Sequence, residues 1–484
     1  MQQKKFVTNI AFLIVLNLLI KPFWPLGIEP AVQNAVGNAS YGEYAILFNF
    51  SFLLNIILDF GVTQFNNKNI AQNNHLLTKH FSSLFSLKLV LGIIYFLVTV
   101  ILGLILGYDF RYMKLLSVLA VNQFLISMIL YLRSSLLGLH LFKTDSFVSV
   151  ADRVIMIIIC MGLLMRWFGI EIDIMAFVYT QTIGYLLTAI IAFVTVYTKT
   201  SHFKLSWNWP FSLMILKQSF PFAILVLLMT FYNRLDSVML GLILPAGEGS
   251  EQAGIYAKGF RLLEAGNMIA YLFSVQLIPV FSRMLKHKEN VEQLVKLSFI
   301  LLIAPALVVS VGCFFYAQEI SGLINHVKPG QISDSYHEFS ILMLCFTAVS
   351  TTYIFGTLLT ANGNLKQLNM MAIIGICINL VLNFILIPNY KALGSAYSSL
   401  ITQFFTAGIQ IYFAVKIFKF RFNAKLVLSL CIFIAGIIAF NFFSRSFTAN
   451  WLVNFAIMCM FCGLWAFVSG LLNIKSIYKF IKYK

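Results

Sequence analysis

Along the chain, apolar runs of roughly 20 residues alternate with short polar breaks, the spacing that a hydrocarbon layer about 30 Å thick imposes on helices rising about 1.5 Å per residue. The runs predict about 14 spanning helices. They lie near residues 7–29, 43–65, 83–107, 115–138, 147–168, 174–197, 219–244, 254–279, 295–317, 338–360, 367–388, 393–416, 426–444 and 451–472. The longest polar stretches, near 199–218 and 318–338, are too short for a soluble domain. The opening run begins after Lys4 and Lys5 like a signal peptide, but it continues past Lys21 to about Ile28, so it is expected to remain as the first helix. The expected fold class is an all-α polytopic membrane protein.

Composition agrees with that pattern: 60% of residues are hydrophobic, 11% are charged and the mean hydropathy is +0.88. Soluble globular domains are not built this way. The formal net charge of +17 first suggests a nucleic-acid partner, but the position of the charges removes that reading. Lys68, Lys79, Lys199, Lys204, Arg283, Lys288, Lys416 and Lys425 fall on alternate connections, while Glu171, Asp173, Glu248 and Glu251 fall on the others. This is the positive-inside distribution, with both termini in the cytoplasm. The basic loops are then placed to meet anionic lipid headgroups, and no nucleic acid is expected. All seven cysteines lie in apolar runs, and Cys459-x-x-Cys462 is read as a pair of small packing residues rather than a redox motif. No Walker loop, nucleophile elbow or zinc spacing occurs, and the histidines sit at helix ends or in loops. No catalytic residue, metal or cofactor is expected.

Charges inside the spans change the picture most, because an ionisable group at bilayer depth faces a protein interior or water and is a functional candidate by default. The densest stretch runs from Thr230 to Pro279, where two apolar runs flank the polar turn Ala246 to Ala253. Arg234 and Asp236 are two positions apart, about 200° around a helix, so they serve different faces. Arg234 is assigned to a cavity or to an ion pair, with the cavity favoured. Lys258, Arg261 and Glu264 recur at i, i+3 and i+6 on one side of the next helix, where Arg261 and Glu264 can neutralise each other or present a cationic stripe. Lys21, beside the helix-kinking Pro22 and Pro25, either snorkels or lines a cavity, mid-to-outer in its span. Arg133, Asp152, Arg153 and Asp59 fall in the inner third of the first half and, being of mixed sign, read as a gate network. Asp59, Asp236 and Glu264 are the candidate proton or sodium carriers.

A weak internal repeat organises these residues. Lys21 followed by Gly42 (YGEYA) mirrors Arg234 followed by Gly254 (AGIYA), and LLGLHLFK ending at Lys143 echoes LLTANGNLK ending at Lys366. A repeat of six helices preserves orientation, so the halves are expected to relate by an axis along the membrane normal. The expected boundaries are an N-lobe at 1–198, a linker at 199–218, a C-lobe at 219–417, and two further helices with a tail at 418–484.

The motif Asn233-Arg234-x-Asp236, a short turn, then Gly254-x-Tyr256-Ala257-x-x-x-Arg261 and a closing Pro279 resembles the start of the second half of Wzx-type polysaccharide flippases. These belong to the multidrug/oligosaccharidyl-lipid/polysaccharide exporter superfamily. The resemblance implies a MATE-like plan, with two six-helix lobes around a central cavity and two extra C-terminal helices. It also implies alternating-access transport of a polyprenyl-diphosphate-linked oligosaccharide, of O-antigen or capsule type, across a bacterial cytoplasmic membrane. Lys21, Arg234, Lys258 and Arg261 would bind the diphosphate, and polymerase or glycosyltransferase machinery would be the partners. A multidrug exporter of the same superfamily would need a net acidic cavity. A polysaccharide polymerase would carry a large outer loop with Arg and His, whereas 318–337 holds Lys328, His326 and His337 but no Arg.

Overall fold

The computed structural model describes residues 16–17, 19–63, 66, 70, 76–139, 141–167, 169, 171–200, 207–245, 247–325, 335–421, 423–448 and 450–472. The first part of the opening helix (7–15), most of the Asn-rich segment 66–74 with Lys68, residues 201–206 with Lys204, residues 326–334 with His326 and Lys328, and the tail from 473 lie outside the described residues. Every regular element among the described residues is helical. Nine of the described helices are long and apolar enough to cross a membrane.

Met1–Gly254 packs as one compact unit and Ile255–Lys484 as a second. In the first, a turn at Lys21 and Pro22 leads into a π-helical segment, Trp24–Ile28, which continues as α1 (Glu29–Val36). The opening helix therefore ends near Val36, about two turns later than hydropathy suggests. Gly37, at φ +86°, separates it from α2 (Asn38–Leu53). A single turn, α3 (Ile56–Asp59), then ends on Phe60 and Gly61, both with positive φ. There follow α4 (Leu76–Ile105), α5 (Phe110–Gly138), α6 (Phe142–Leu164), α7 (Ile174–Tyr197) and α8 (Trp209–Ile243). The start of α9 (Glu248–Lys286) completes this unit. The sequence reading divided the chain by its repeat at 199–218, whereas compactness keeps α8 with the helices before it.

Polar residues between the apolar runs are helix caps, which explains why the helices begin where they do. Asp109, Asp173 and Asn208 accept hydrogen bonds from the backbone N–H of Tyr112, Ala176 and Phe211 at 2.9, 2.6 and 3.1 Å. Asn208 thus starts α8 about ten residues before the apolar run that marks it in the sequence.

The second unit continues through α10 (Glu292–Phe315), α11 (Ala317–Asn325), α12 (Ser335–Ala361), α13 (Leu365–Phe418), α14 (Ala424–Ser444) and α15 (Trp451–Val468). α13 is two antiparallel spans in one, because Lys391 takes φ 53° and ψ −130° just after Pro388. A buried polar zipper joins its arms. Asn379 donates to Ser398 Oγ at 3.2 Å, Asn383 to Asn379 Oδ1 at 3.0 Å, and Ser395 to Asn383 Oδ1 at 3.1 Å. Small and polar side chains do this work in lipid, where apolar contact alone gives helices no preference for one another. The last two helices pack on α10 through Ile303, Leu307, Phe433, Ile437 and Met458. Their connection is pinned by the Arg445–Glu319 ion pair at 2.7 Å and by Tyr316 with Ser444 at 2.7 Å.

Gly394 lies where the arms of α13 approach most closely: a Cβ there would sit 2.5 Å from the Leu386 carbonyl oxygen. Gly394→Ala is expected to destabilise the protein by about 1–3 kcal/mol through overpacking. Gly408, on the same helix, has nothing within 4 Å of that position. Gly408→Ala is expected to be neutral or to stabilise by up to about 1 kcal/mol, as removing a mid-helix glycine does. Thermal unfolding of both variants in detergent checks the contrast.

Candidate functional site

Three charged constellations lie within the helices. The first accompanies the break between α2 and α4. Ending a helix inside a membrane frees carbonyls that lipid cannot satisfy. Lys88 of α4 reaches the Leu58 carbonyl at 3.0 Å and also contacts Ser127 Oγ of α5 at 2.9 Å; Ser127 donates to the same carbonyl at 3.2 Å. Asp59 neutralises Lys88 in a direct ion pair and accepts from the Thr63 hydroxyl. Lys88 is sealed at 1% exposure, whereas the Asp59 side chain keeps 30%. Asp59, a candidate ion carrier in the sequence, is thus placed as the counter-ion of a lysine that completes a broken helix. Lys88 was missed because a lone Lys in an apolar run carries no periodic signal.

The second constellation gathers residues that the sequence put at different depths. Lys21 lies within electrostatic reach of Arg133, Asp152, Arg153 and Asp145. Arg133 holds Asp145 in a two-pronged pair at 2.7 and 3.0 Å. Asp145, assigned to an inner loop by hydropathy, is buried. Arg153 and Asp152 are 3.7 Å apart, and the Arg153 guanidinium lies 5.5 Å from the ring centre of Trp24. That ring stacks on Phe177 at 5.7 Å and donates its indole N–H to Glu29 at 2.7 Å. The π-helical segment therefore turns an aromatic face toward an arginine, a contact that strengthens when desolvated. Lys21, Arg133 and Arg153 supply three cations to this cluster; Asp145, Asp152 and Glu29, whose charge also reaches Arg153, supply three anions.

Arg234 belongs to the same unit but to another place. Its guanidinium lies 5.1 Å from the Phe52 ring centre and 3.5 Å from Asn49 Oδ1, both on α2. Asp236 is buried on a different face of α8, as their spacing requires.

The third constellation, in the second unit, is the stripe on α9. Lys258 and Glu264 are half-buried, and Arg261 is only 4% exposed. Lys258 and Arg261 lie within electrostatic reach of each other. Gly259, between them in sequence, lets α12 approach: a Cβ there would meet the Glu338 carboxylate at 2.8 and 3.1 Å. Glu338, the first residue of its expected span, is 1% exposed. Tyr256 meets Ser399 of α13 at 3.2 Å. Among the described residues no group of three or more His, Cys, Asp or Glu could hold a metal ion. Cys462 is buried with its Sγ 3.6 Å from Met458 Sδ.

The chain has relatives in sequence and in fold. A family model described as polysaccharide biosynthesis protein matches residues 6–285. An uncharacterized membrane protein, YabM of Bacillus subtilis (strain 168), is 26% identical over 210 residues, 41% of this chain and 37% of that protein. The chain therefore aligns with little more than a third of that relative. In fold, the lipid II flippase MurJ in an inward closed conformation matches with a TM-score of 0.70 and 16% identity, over 99% of both chains. An inward-facing multidrug resistance MATE transporter of the MOP superfamily matches at 0.65 and 13% identity, covering 84% of this chain and 98% of its own.

Removing Lys88 alone would leave both the Leu58 carbonyl and Asp59 without their partner. Lys88→Met is expected to cost about 3 kcal/mol, the low end for breaking a buried pair because Asp59 is partly exposed. Adding Asp59→Asn should recover part of the loss, and a double-mutant cycle on thermal unfolding measures the coupling.

Proposed function

The chain belongs to the polysaccharide biosynthesis protein family, and from that premise we propose that it is a flippase for a polyprenyl-diphosphate-linked oligosaccharide. It would carry repeat units of O-antigen or capsule type across the bacterial cytoplasmic membrane by alternating access. The observation that carries this reading is the set of cations held at bilayer depth. Lys21, Arg133 and Arg153 cluster in the first unit, with Arg234 on a separate helix face, and Lys258 and Arg261 stand in the second. A diphosphate brings negative charge into a poorly solvated place, where charge-assisted hydrogen bonds are strong and short. Lys21, Arg234, Lys258 and Arg261 are the proposed diphosphate ligands. Arg133, Asp152 and Arg153, with Asp145, are the proposed gate network, and Asp59, Asp236 and Glu264 are the proposed coupling carboxylates. An exporter of organic cations would be poorly served by this lining.

The repeats 1–198 and 219–417, joined by 199–218 and followed by 418–484, are the proposed bodies of the cycle. Both termini are assigned to the cytoplasm, and polymerase or glycosyltransferase machinery is the proposed company.

In cells that depend on this protein for surface polysaccharide, Arg234→Ala is expected to cut export at least about tenfold, the effect of losing one charge-assisted contact. Arg234→Lys, which keeps the charge but not the planar fork, should retain part of it. Export is read as surface glycan against accumulated lipid-linked precursor, with protein level checked by immunoblot. Undiminished export in Arg234→Ala cells would remove that residue from the mechanism. For topology, green fluorescent protein fused after Lys484 should fluoresce and alkaline phosphatase at the same point should stay inactive. The reverse pattern would overturn the assigned orientation.

A further inference from the structure

The repeat that relates Gly42 to Gly254 also relates Asn38 to Ser250, at the same offset. These four residues form a single crossing, in which α2 meets the start of α9. A Cβ on Gly42 would fall inside the van der Waals shell of the Ser250 carbonyl, and one on Gly254 inside that of the Asn38 carbonyl. Each glycine thus rests on the backbone of the other's partner, so the contact is two-fold symmetric in sequence and in space. Hydrogen bonds at its margin fasten it: buried Gln33 Nε2 donates to the Gly254 carbonyl at 2.8 Å and to Asn38 Oδ1 at 3.3 Å, and the Tyr112 side chain bonds both Ser250 and Glu43. Ser250 itself is buried.

This construction is unlike the permanent joints of the molecule. The Lys88–Asp59 pair and the α13 zipper tie helices through several interlocked side chains, whereas here no side chain passes between the two backbones. Backbones that meet directly, through weak Cα–H···O contacts, have no interdigitated side chains at the point of contact to disengage, so the joint separates and re-forms without rotamer exchange there.

Resting on the flippase reading, we infer that the Gly42–Gly254 crossing is a seal at one end of the translocation route, opening and closing once per cycle. By the positive-inside assignment it lies at the outer end. Both glycines are helical, so alanine is locally favourable at either position and acts only through the crossing.

The test uses the full-length protein in cells and introduces Ser250→Cys as a reporter. A membrane-impermeant maleimide is added from outside, and labelling is read at residue 250 by peptide mass spectrometry. Labelling should be slow in the Ser250→Cys parent and rise about tenfold when Gly42→Ala or Gly254→Ala is added, with export reduced in both. Gly408→Ala, which meets nothing, should change neither. Should the glycine variants fail to accumulate, Gln33→Met removes its own fastening bonds without inserting a methyl, and it should raise labelling by a smaller factor. Unchanged labelling in all of these variants overturns the seal. Raised labelling with full export also overturns it, while leaving the flippase reading intact. Absence of export in the wild-type chain would instead sink the flippase reading, and the labelling comparison would still decide whether the crossing opens.

Discussion

A bilayer offers the backbone no hydrogen-bond partner, and two departures from helix among the described residues are arranged around that constraint. Where α3 ends, the freed Leu58 carbonyl receives both a lysine ammonium and a serine hydroxyl. The lysine creates a second problem, a charge in an apolar interior, which Asp59 solves. One interrupted helix thus dictates a cation on α4, a hydroxyl on α5 and an anion on α3. The bend at Lys391 is handled with neutral groups instead: Asn and Ser side chains bridge the two arms, and Gly394 lets them touch.

The same constraint separates structural charges from those free to serve a substrate. Arg133 spends its fork on Asp145, in the planar pairing that fixes both side chains. Arg153 divides its attention between Asp152 at 3.7 Å and the face of Trp24. Tyr185 and the charge of Glu29 lie within its reach as well, so Arg153 is shared among several partners where Arg133 has one carboxylate in a fixed fork. Lys21 sits where these fields overlap, and it feels two arginines as well as two aspartates.

The architecture was legible in the sequence because hydropathy, helix length and charge asymmetry all report the same bilayer. The helices fall on the expected spans, and the Arg234–Arg261 motif led to the family that residues 6–285 match. What stayed hidden depends on partners distant in sequence. Lys88 looks like any lysine in an apolar run until the end of α3 is placed beside it. Asp145 fell between two expected spans because a hydropathy window blurs helix ends by several residues, yet it is buried. Asn208 and Asp173 read as loop residues for the same reason, although each caps a helix. The end of the first helix was placed too early because the π-helical segment and α1 extend it beyond its apolar run.

Conservation of offset across the repeat adds a last constraint. A duplicated six-helix unit inherits identical surfaces, so the two copies first meet through residues that are alike. Bulky side chains at such a meeting would face their own equivalents and collide, whereas glycine facing a carbonyl is compatible with its own image. The Gly42–Gly254 crossing has that form, and the charged residues do not follow it. Lys21 and Arg234 correspond in the repeat only to within one residue of that offset, and the first lies in a mixed-charge cluster while the second lies over Phe52. Symmetry is thus retained where backbones touch and abandoned where charge is held. This is the expected outcome if the crossing only has to open and close, while the cations have to bind an asymmetric headgroup.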